Sequence, residues 1–465
     1  MKNVVALAVR AALIIMTCCG LVSCQDELKP TTTIVAPAAS SPASPASPAS
    51  PAPPAPPAPP APLAPLAPLA PLAPPAPPVP PVPPASSKRQ QLLNTEVRAL
   101  YITSWTAGIN RFKVLTDMVS RSHLNAVVID IKDSTGKVGY DSKVPMVPQT
   151  GAHEKRIRDL DAVLKRCRDK KLYTIARIAV FQDPNLAKAR PDLAVGSGGK
   201  QIWRDRKGLA WVDPASKVVW EYNLAIAKEA AAKGFDEVQF DYVRFPTDGK
   251  LKTMTYPVYK RDVPKHEIIR RFFQYVDQQM KPLDVMTSAD IFGLTTMVDD
   301  DMNIGQRIQD VADYVDFICP MIYPSHYPPG HLGFKNPAEH PYRVIYDASL
   351  RGVKRLEGKR ARMRPWLQDF KLGAAYDKRM IVDEIQAARD AKVFGFSMWN
   401  ARNVYTDAVY LEKLPEANPA PPLRDQVLGD IRRHDAAMLA MQNHTTSIRQ
   451  EKPSIHKPRR KSKES

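Results

Sequence analysis

The sequence predicts an α/β fold, a closed (β/α)8 barrel. Three observations carry that prediction. Eight apolar runs rich in β-branched and aromatic residues recur along the middle of the chain, as expected of parallel strands buried on both faces. Amphipathic helical patterns lie between most of them. The chain has 465 residues and 46 prolines, but 24 of those prolines fall in 30–84, where no side chain is charged. That removes a stretch from the foldable length and leaves about 330 residues, 88–420, which suits one barrel of about 250 residues or more.

The strand-like runs are 97–105, 126–133, 173–181, 237–246, 284–293, 314–324, 363–370 and 394–400. Helical patterns occupy 112–122, 157–170, 217–233, 265–280, 304–312, 341–353 and 380–391. An open doubly wound sheet is the competing arrangement. It usually carries a Gly-rich phosphate turn after its first strand, and 103–108 has none. The glycines at 196, 198 and 199 lack P-loop spacing and read as a turn.

The flanks differ in kind from the barrel. Residues 1–23 carry Lys2 and Arg10, then the apolar run 11–16, too short to span a membrane and typical of a secretory signal. The ending Leu21-Val22-Ser23-Cys24 resembles the lipobox of bacterial lipoproteins. That resemblance implies lipidation of Cys24 and a membrane partner reached through the lipid. Gln25 in place of Asp implies the outer membrane, so the expected location is the cell envelope. Residues 24–87 are expected to form a Pro/Ala-rich disordered linker. Polyproline II geometry would let its proline-rich part reach on the order of 170 Å. A docking site for a proline-reading partner is the other use of such repeats. Residues 421–465 are expected to hold an amphipathic helix near 423–441 and a disordered basic tail with six Lys/Arg in its last fifteen residues. Cys167 and Cys319 read as two buried thiols, with a disulfide as the competing reading.

In such a barrel, side chains at the C-terminal ends of the strands line the site. Those ends supply Asp130 and Asp133, Arg177, Asp241, Tyr242 and Arg244, Asp290, Tyr323 and His326, Trp366, Gln368 and Asp369, and Trp399 and Asn400. A carboxylate inside a barrel costs several kcal/mol unless it is paired or solvated. Several converging acids are therefore hard to explain as structure alone. Asp130 has a competing reading as a core-satisfied acid, Trp399 as a barrel plug, and Asp241 as the partner of Arg177 or Arg244.

Carboxylates with aromatic faces suit glycoside hydrolysis, in which one carboxyl protonates the leaving oxygen and the other attacks or activates water. His-Glu-x-x-His, Cys-x-x-Cys and Gly-x-Ser-x-Gly are all missing from the sequence, so no metal and no cofactor is expected.

The strings Phe240-Asp241-Tyr242-Val243-Arg244-Phe245-Pro246, Ile129-Asp130-Ile131-Lys132-Asp133 and Ser288-Ala289-Asp290-Ile291-Phe292-Gly293 resemble a bacterial glycosyl hydrolase domain family of unassigned function, over about 96–407. The resemblance implies a TIM barrel distantly similar to the α-amylase-like glycosidases. Matching by strand, it implies Asp241 as nucleophile or base, Asp290 as general acid and Asp369 as a further acid that binds substrate. Two departures stand out. Strand 5 offers Asp where amylases use Glu, and Gln239 stands where they keep an Arg, a place Arg177 is positioned to fill.

The remaining residues, Asp133, Arg177, Tyr242, Arg244, Tyr323, His326, Trp366, Gln368, Trp399 and Asn400, are expected to bind substrate. The expected partner is an envelope or extracellular polysaccharide, with no role for nucleic acid. The net charge of +18 favours an anionic one. A polysaccharide-binding barrel without catalysis is the alternative reading.

Overall fold

The computed structural model describes residues 88–199, 201–414, 416–417, 423–434 and 436. The expected signal, Cys24, the proline-rich linker and the basic tail lie outside the described residues. Eight parallel strands form the barrel: β1 (Val97–Ile102), β2 (Ala126–Lys132), β3 (Tyr173–Ala179), β4 (Glu237–Asp241), β5 (Met286–Phe292), β6 (Phe317–Met321), β7 in two pieces (Arg362–Met363 and Trp366–Gln368) and β8 (Gly395–Trp399). Each pairs with the next, and β8 returns to β1 with Val97 opposite Gly395, closing the ring. Glycine is required at that seam. Gly395 has φ +86°, and a Cβ there would lie 2.0 Å from the carbonyl oxygen of Val97.

The outer helices follow in turn: α1 (Asn110–Ser120), α2 (Leu160–Asp169), α3 (Lys217–Lys233), α4 (Lys265–Met280), α5 (Ile308–Val311), α6 (Pro341–Arg355), α7 (Lys378–Asp390) and α8 (Asp407–Leu411). Strand side chains alternate. Leu100, Val127, Ile129, Ala176, Val238 and Phe240 face outward into the helical layer. Val97, Ala99, Val128, Ile175, Met286 and Phe317 face inward. Cys167 and Cys319 are both buried and free. The helix at 423–434 lays Leu423, Val427 and Ile431 on the helical layer, one turn apart.

Several elements are shorter than their patterns suggested, each for a local reason. β1 stops at Ile102 because the Thr103 side chain accepts from Thr106 N and caps a helical turn, leaving Trp105 exposed. β4 stops at Asp241 because Tyr242 takes φ +54°. β7 breaks at Pro365, which has no N–H to give a ladder. Helix α5 keeps only four residues of the nine-residue pattern at 304–312. A short helix, Lys88–Leu93, is an addition: Leu92 and Leu93 pack against the inward-facing cluster.

The lower interior of the barrel holds a buried ion pair. Arg364 donates to both oxygens of Glu237, which also accepts from the Tyr173 hydroxyl at 2.8 Å and from Ser288. Both members of the pair are fully buried.

Candidate active site

Above that pair, Arg177 stands in the barrel with three carboxyl groups around it. Nη1 donates to Asp130 Oδ1 at 2.6 Å, Nη2 to Asp241, and Nε to Asp290 Oδ2 at 3.4 Å. Alternation along β2, β3, β4 and β5 places all four side chains inward. At the end of β2 the register shifts between Asp130 and Lys132. Asp130 accepts from the Tyr101 hydroxyl and Arg177, while Lys132 pairs with buried Asp183 at 2.8 Å. Asp241 accepts from the N–H of Tyr242. The left-handed backbone of Tyr242, costly for a bulky residue, holds that amide against the carboxylate.

One guanidinium cannot neutralise three carboxylates. Burial, and then the charge of Asp241, push the Asp290 carboxyl well above its ordinary range, while Arg177 and Trp366 Nε1 pull the other way. Burial also raises Asp130, opposed by Arg177. The arrangement therefore keeps a proton on Asp290 at pH values where an exposed Asp has lost it.

A cavity of about 600 Å³ opens over this cluster at the C-terminal ends of the strands. Arg177, Asp241, Tyr242, Arg244, Asp290, Tyr323, His326, Trp366, Asp369, Trp399 and Asn400 all line it. Trp399 stacks on Tyr101 with ring centroids 4.0 Å apart and stands perpendicular to Trp366 at 5.5 Å. Its ring also faces the Arg177 guanidinium at 5.1 Å. This sets two indole rings, Trp366 and Trp399, on the cavity wall beside the acids.

His326 is buried, which drives its imidazole down to about 3, with the charge of Lys207 adding to the effect. It is therefore neutral. Gln368 donates through Nε2 to the Phe370 carbonyl, so its Oε1 accepts the Ser325 hydroxyl at 2.8 Å. The Ser325 oxygen, 3.0 Å from His326 Nδ1, then accepts from that nitrogen. This assigns the proton to Nδ1 and leaves Nε2 as a bare acceptor.

Two of the residues expected to bind substrate do not line the cavity. Gln368 is fully buried and reaches the site through its partners, the Ser325–His326 pair and the carbonyl of Phe370 on the cavity wall. Asp133 sits at the turn after β2, held by Arg156 and Thr135. Asp369 and Asn400 are on the wall, but their polar atoms hold the loop after β8. Asp369 accepts from Thr406 N, Thr406 Oγ1 and the Tyr410 hydroxyl. Asn400 donates to the carbonyls of Asp369 and Val404. The wall also includes Lys207, Leu209, Phe292, Gln306, Tyr376 and Tyr405, which the strand-end reading missed. Lys207 comes from the long β3–α3 connection, where no periodic signal points to the site. Gln306 could have been suspected only from its fold position: it accepts from Phe292 N and donates to the Val243 carbonyl, joining the loops after β4 and β5.

Fold and site together define a (β/α)8 barrel with a carboxylate cluster at its C-terminal mouth. The chain belongs to the family described as "Putative glycosyl hydrolase domain", whose model matches residues 99–405. Among solved structures, a hypothetical protein from Ruminiclostridium thermocellum is 43% identical over 41% of this chain and 96% of its own, with a TM-score of 0.38. The PgaB (BpsB) glycoside hydrolase domain from Bordetella bronchiseptica has a TM-score of 0.50 at 13% identity, over 66% of this chain and 94% of its own, a likeness of fold. The GH20 exo β-N-acetylglucosaminidase from Vibrio harveyi has a TM-score of 0.44 at 11% identity, over 72% of this chain and 57% of its own. No curated protein matches the chain in sequence.

Proposed function

We propose that the protein hydrolyses glycosidic bonds of an envelope or extracellular polysaccharide. Asp290 acts as general acid, and Asp241 as nucleophile or base. The observation that carries this reading is the shared guanidinium: Arg177 holds Asp241 and Asp290 beside each other while burial keeps a proton on Asp290. In the first step the Asp290 proton passes to the leaving oxygen as the C–O bond breaks. Asp241 either bonds to the anomeric carbon or takes a proton from the attacking water. Trp399 offers an apolar face to a sugar ring, and His326 Nε2 an acceptor to a hydroxyl. Membership of the glycosyl hydrolase domain family supports the same reading.

The proposal carries an envelope location with it, through a lipid on Cys24. Incorporation of a fatty-acid probe that is lost in Cys24→Ala checks that part.

The second reading is a barrel that binds polysaccharide without cleaving it. The same ion network favours it, because both acids already have a cationic partner. Incubation with a panel of envelope polysaccharides separates the two. Release of new reducing ends, abolished in folded Asp241→Asn and Asp290→Asn variants, is the expected result. Turnover that survives Asp241→Asn overturns the assignment, and saturable binding without any release leaves the binding barrel.

A further inference from the structure

Arg244 is 3% exposed, yet it lines the cavity and has no carboxylate at ion-pair distance among the described residues. Its guanidinium carbon lies 4.6 Å from the Trp211 ring centroid and 4.8 Å from that of Phe292. Those faces hold the plane in place and leave its edge to make hydrogen bonds. Of its five N–H donors, only those on Nη1 have protein partners among the described residues: the Phe245 carbonyl at 3.2 Å and Thr247 Oγ1 at 3.4 Å. A buried cation without an ion partner is costly to hold.

The acids nearby do not cancel that cost: burial holds the Arg244 guanidinium below its ordinary value although Tyr242, Asp241, Asp248 and Asp205 act against it. Asp205 accepts from Lys207 N, Leu209 N and Trp211 Nε1. Asp248 is pushed toward its neutral form by burial and by Asp205. Lys207 also lines the cavity, and the charges of Arg244 and Lys207 both act on Asp248.

We propose that Arg244, with Lys207, binds an oxyanion substituent of the sugar, so that the polysaccharide recognised in this cavity is acidic. A carboxylate of a hexuronate and a sulfate ester share the required chemistry, a negatively charged group with two oxygens on one atom that accept from the edge of a guanidinium. The inference rests on the polysaccharide reading of the cavity.

The test compares matched glycans on the full chain by calorimetry and by reducing-end release. One set pairs glucuronate-, galacturonate- and mannuronate-bearing oligosaccharides with their carboxyl-reduced counterparts. The other pairs sulfated oligosaccharides with desulfated ones. At least one acidic member should bind about tenfold tighter than its neutral twin, as expected for hydrogen bonds to a charged group. The pair that shows the preference names the substituent. The preference should weaken with salt and fall in Arg244→Gln, with Lys207→Gln as the second variant should the first not fold. Absence of any acidic preference, or a preference unchanged in a folded variant, overturns the inference. Acidic preference without new reducing ends keeps it and overturns the hydrolase reading. Release from neutral glycans alone does the reverse.

Discussion

Trp366 Nε1 donates to Asp290 Oδ1 at 2.7 Å, reaching from β7 to β5 inside the barrel. The indole fixes one oxygen of the carboxyl and opposes the upward pressure of burial on its titration. Trp366→Phe keeps the ring and removes the donor. The expected outcome is a loss of roughly tenfold or more in kcat and a basic limb displaced to higher pH, because the ionised form loses a hydrogen bond. A pH–rate profile of the variant reads both. A limb that moves to lower pH contradicts this role for Trp366.

The pH dependence of the wild type follows from the same carboxyl. In the proposed role Asp290 gives up its proton, so kcat/KM should fall as pH rises through the raised value. Stability should follow the same sign. The fold favours the neutral acid, so its contribution to stability is fully present below the ordinary carboxyl range and is lost as pH rises through the folded value. Asp290→Asn should therefore melt about 2 °C or more above the wild type at alkaline pH while losing activity. Thermal melts across pH test it, and a variant that melts lower only at high pH contradicts it.

The Arg364–Glu237 pair answers to different logic. Removing one partner strands a buried charge. Arg364→Met should cost about 3–5 kcal/mol, and the double variant with Glu237→Gln should recover much of that loss. Denaturant titrations measure the cycle. An additive double variant would show that the two side chains do not depend on each other.

Trp399 is the candidate sugar platform. Trp399→Ala should raise KM about tenfold, from the loss of one aromatic contact, and lower kcat less. Equal losses in kcat and kcat/KM would instead place the indole in transition-state stabilisation through Arg177, which its ring faces at 5.1 Å.

Most of the fold was legible because parallel strands buried on both faces leave a plain mark: an apolar run that ends in a polar residue. All eight strands lie within their predicted spans except β7, which begins one residue earlier, at Arg362. What local pattern could not supply were the stops, each set by one residue: the side-chain cap of Thr103, the left-handed backbone of Tyr242, and Pro365. The cavity wall divides the same way. Side chains at strand ends could be named from sequence, since barrel geometry aims them at one mouth. Lys207 could not, because it reaches the mouth on a long connection.

By itself the sequence determined that an eight-fold repeat of strand and helix would bring Asp241, Asp290 and Arg177 to one end of one barrel. It did so because side-chain period and strand count are local properties of the chain. Only the tertiary structure decided what those groups do to one another. It put one guanidinium among three acids, turned Asp369 toward the loop after β8, and left Arg244 between aromatic rings with no ion partner among the described residues. Such pairings join residues dozens of positions apart, and the resulting charge balance exists only once the barrel has closed and excluded water.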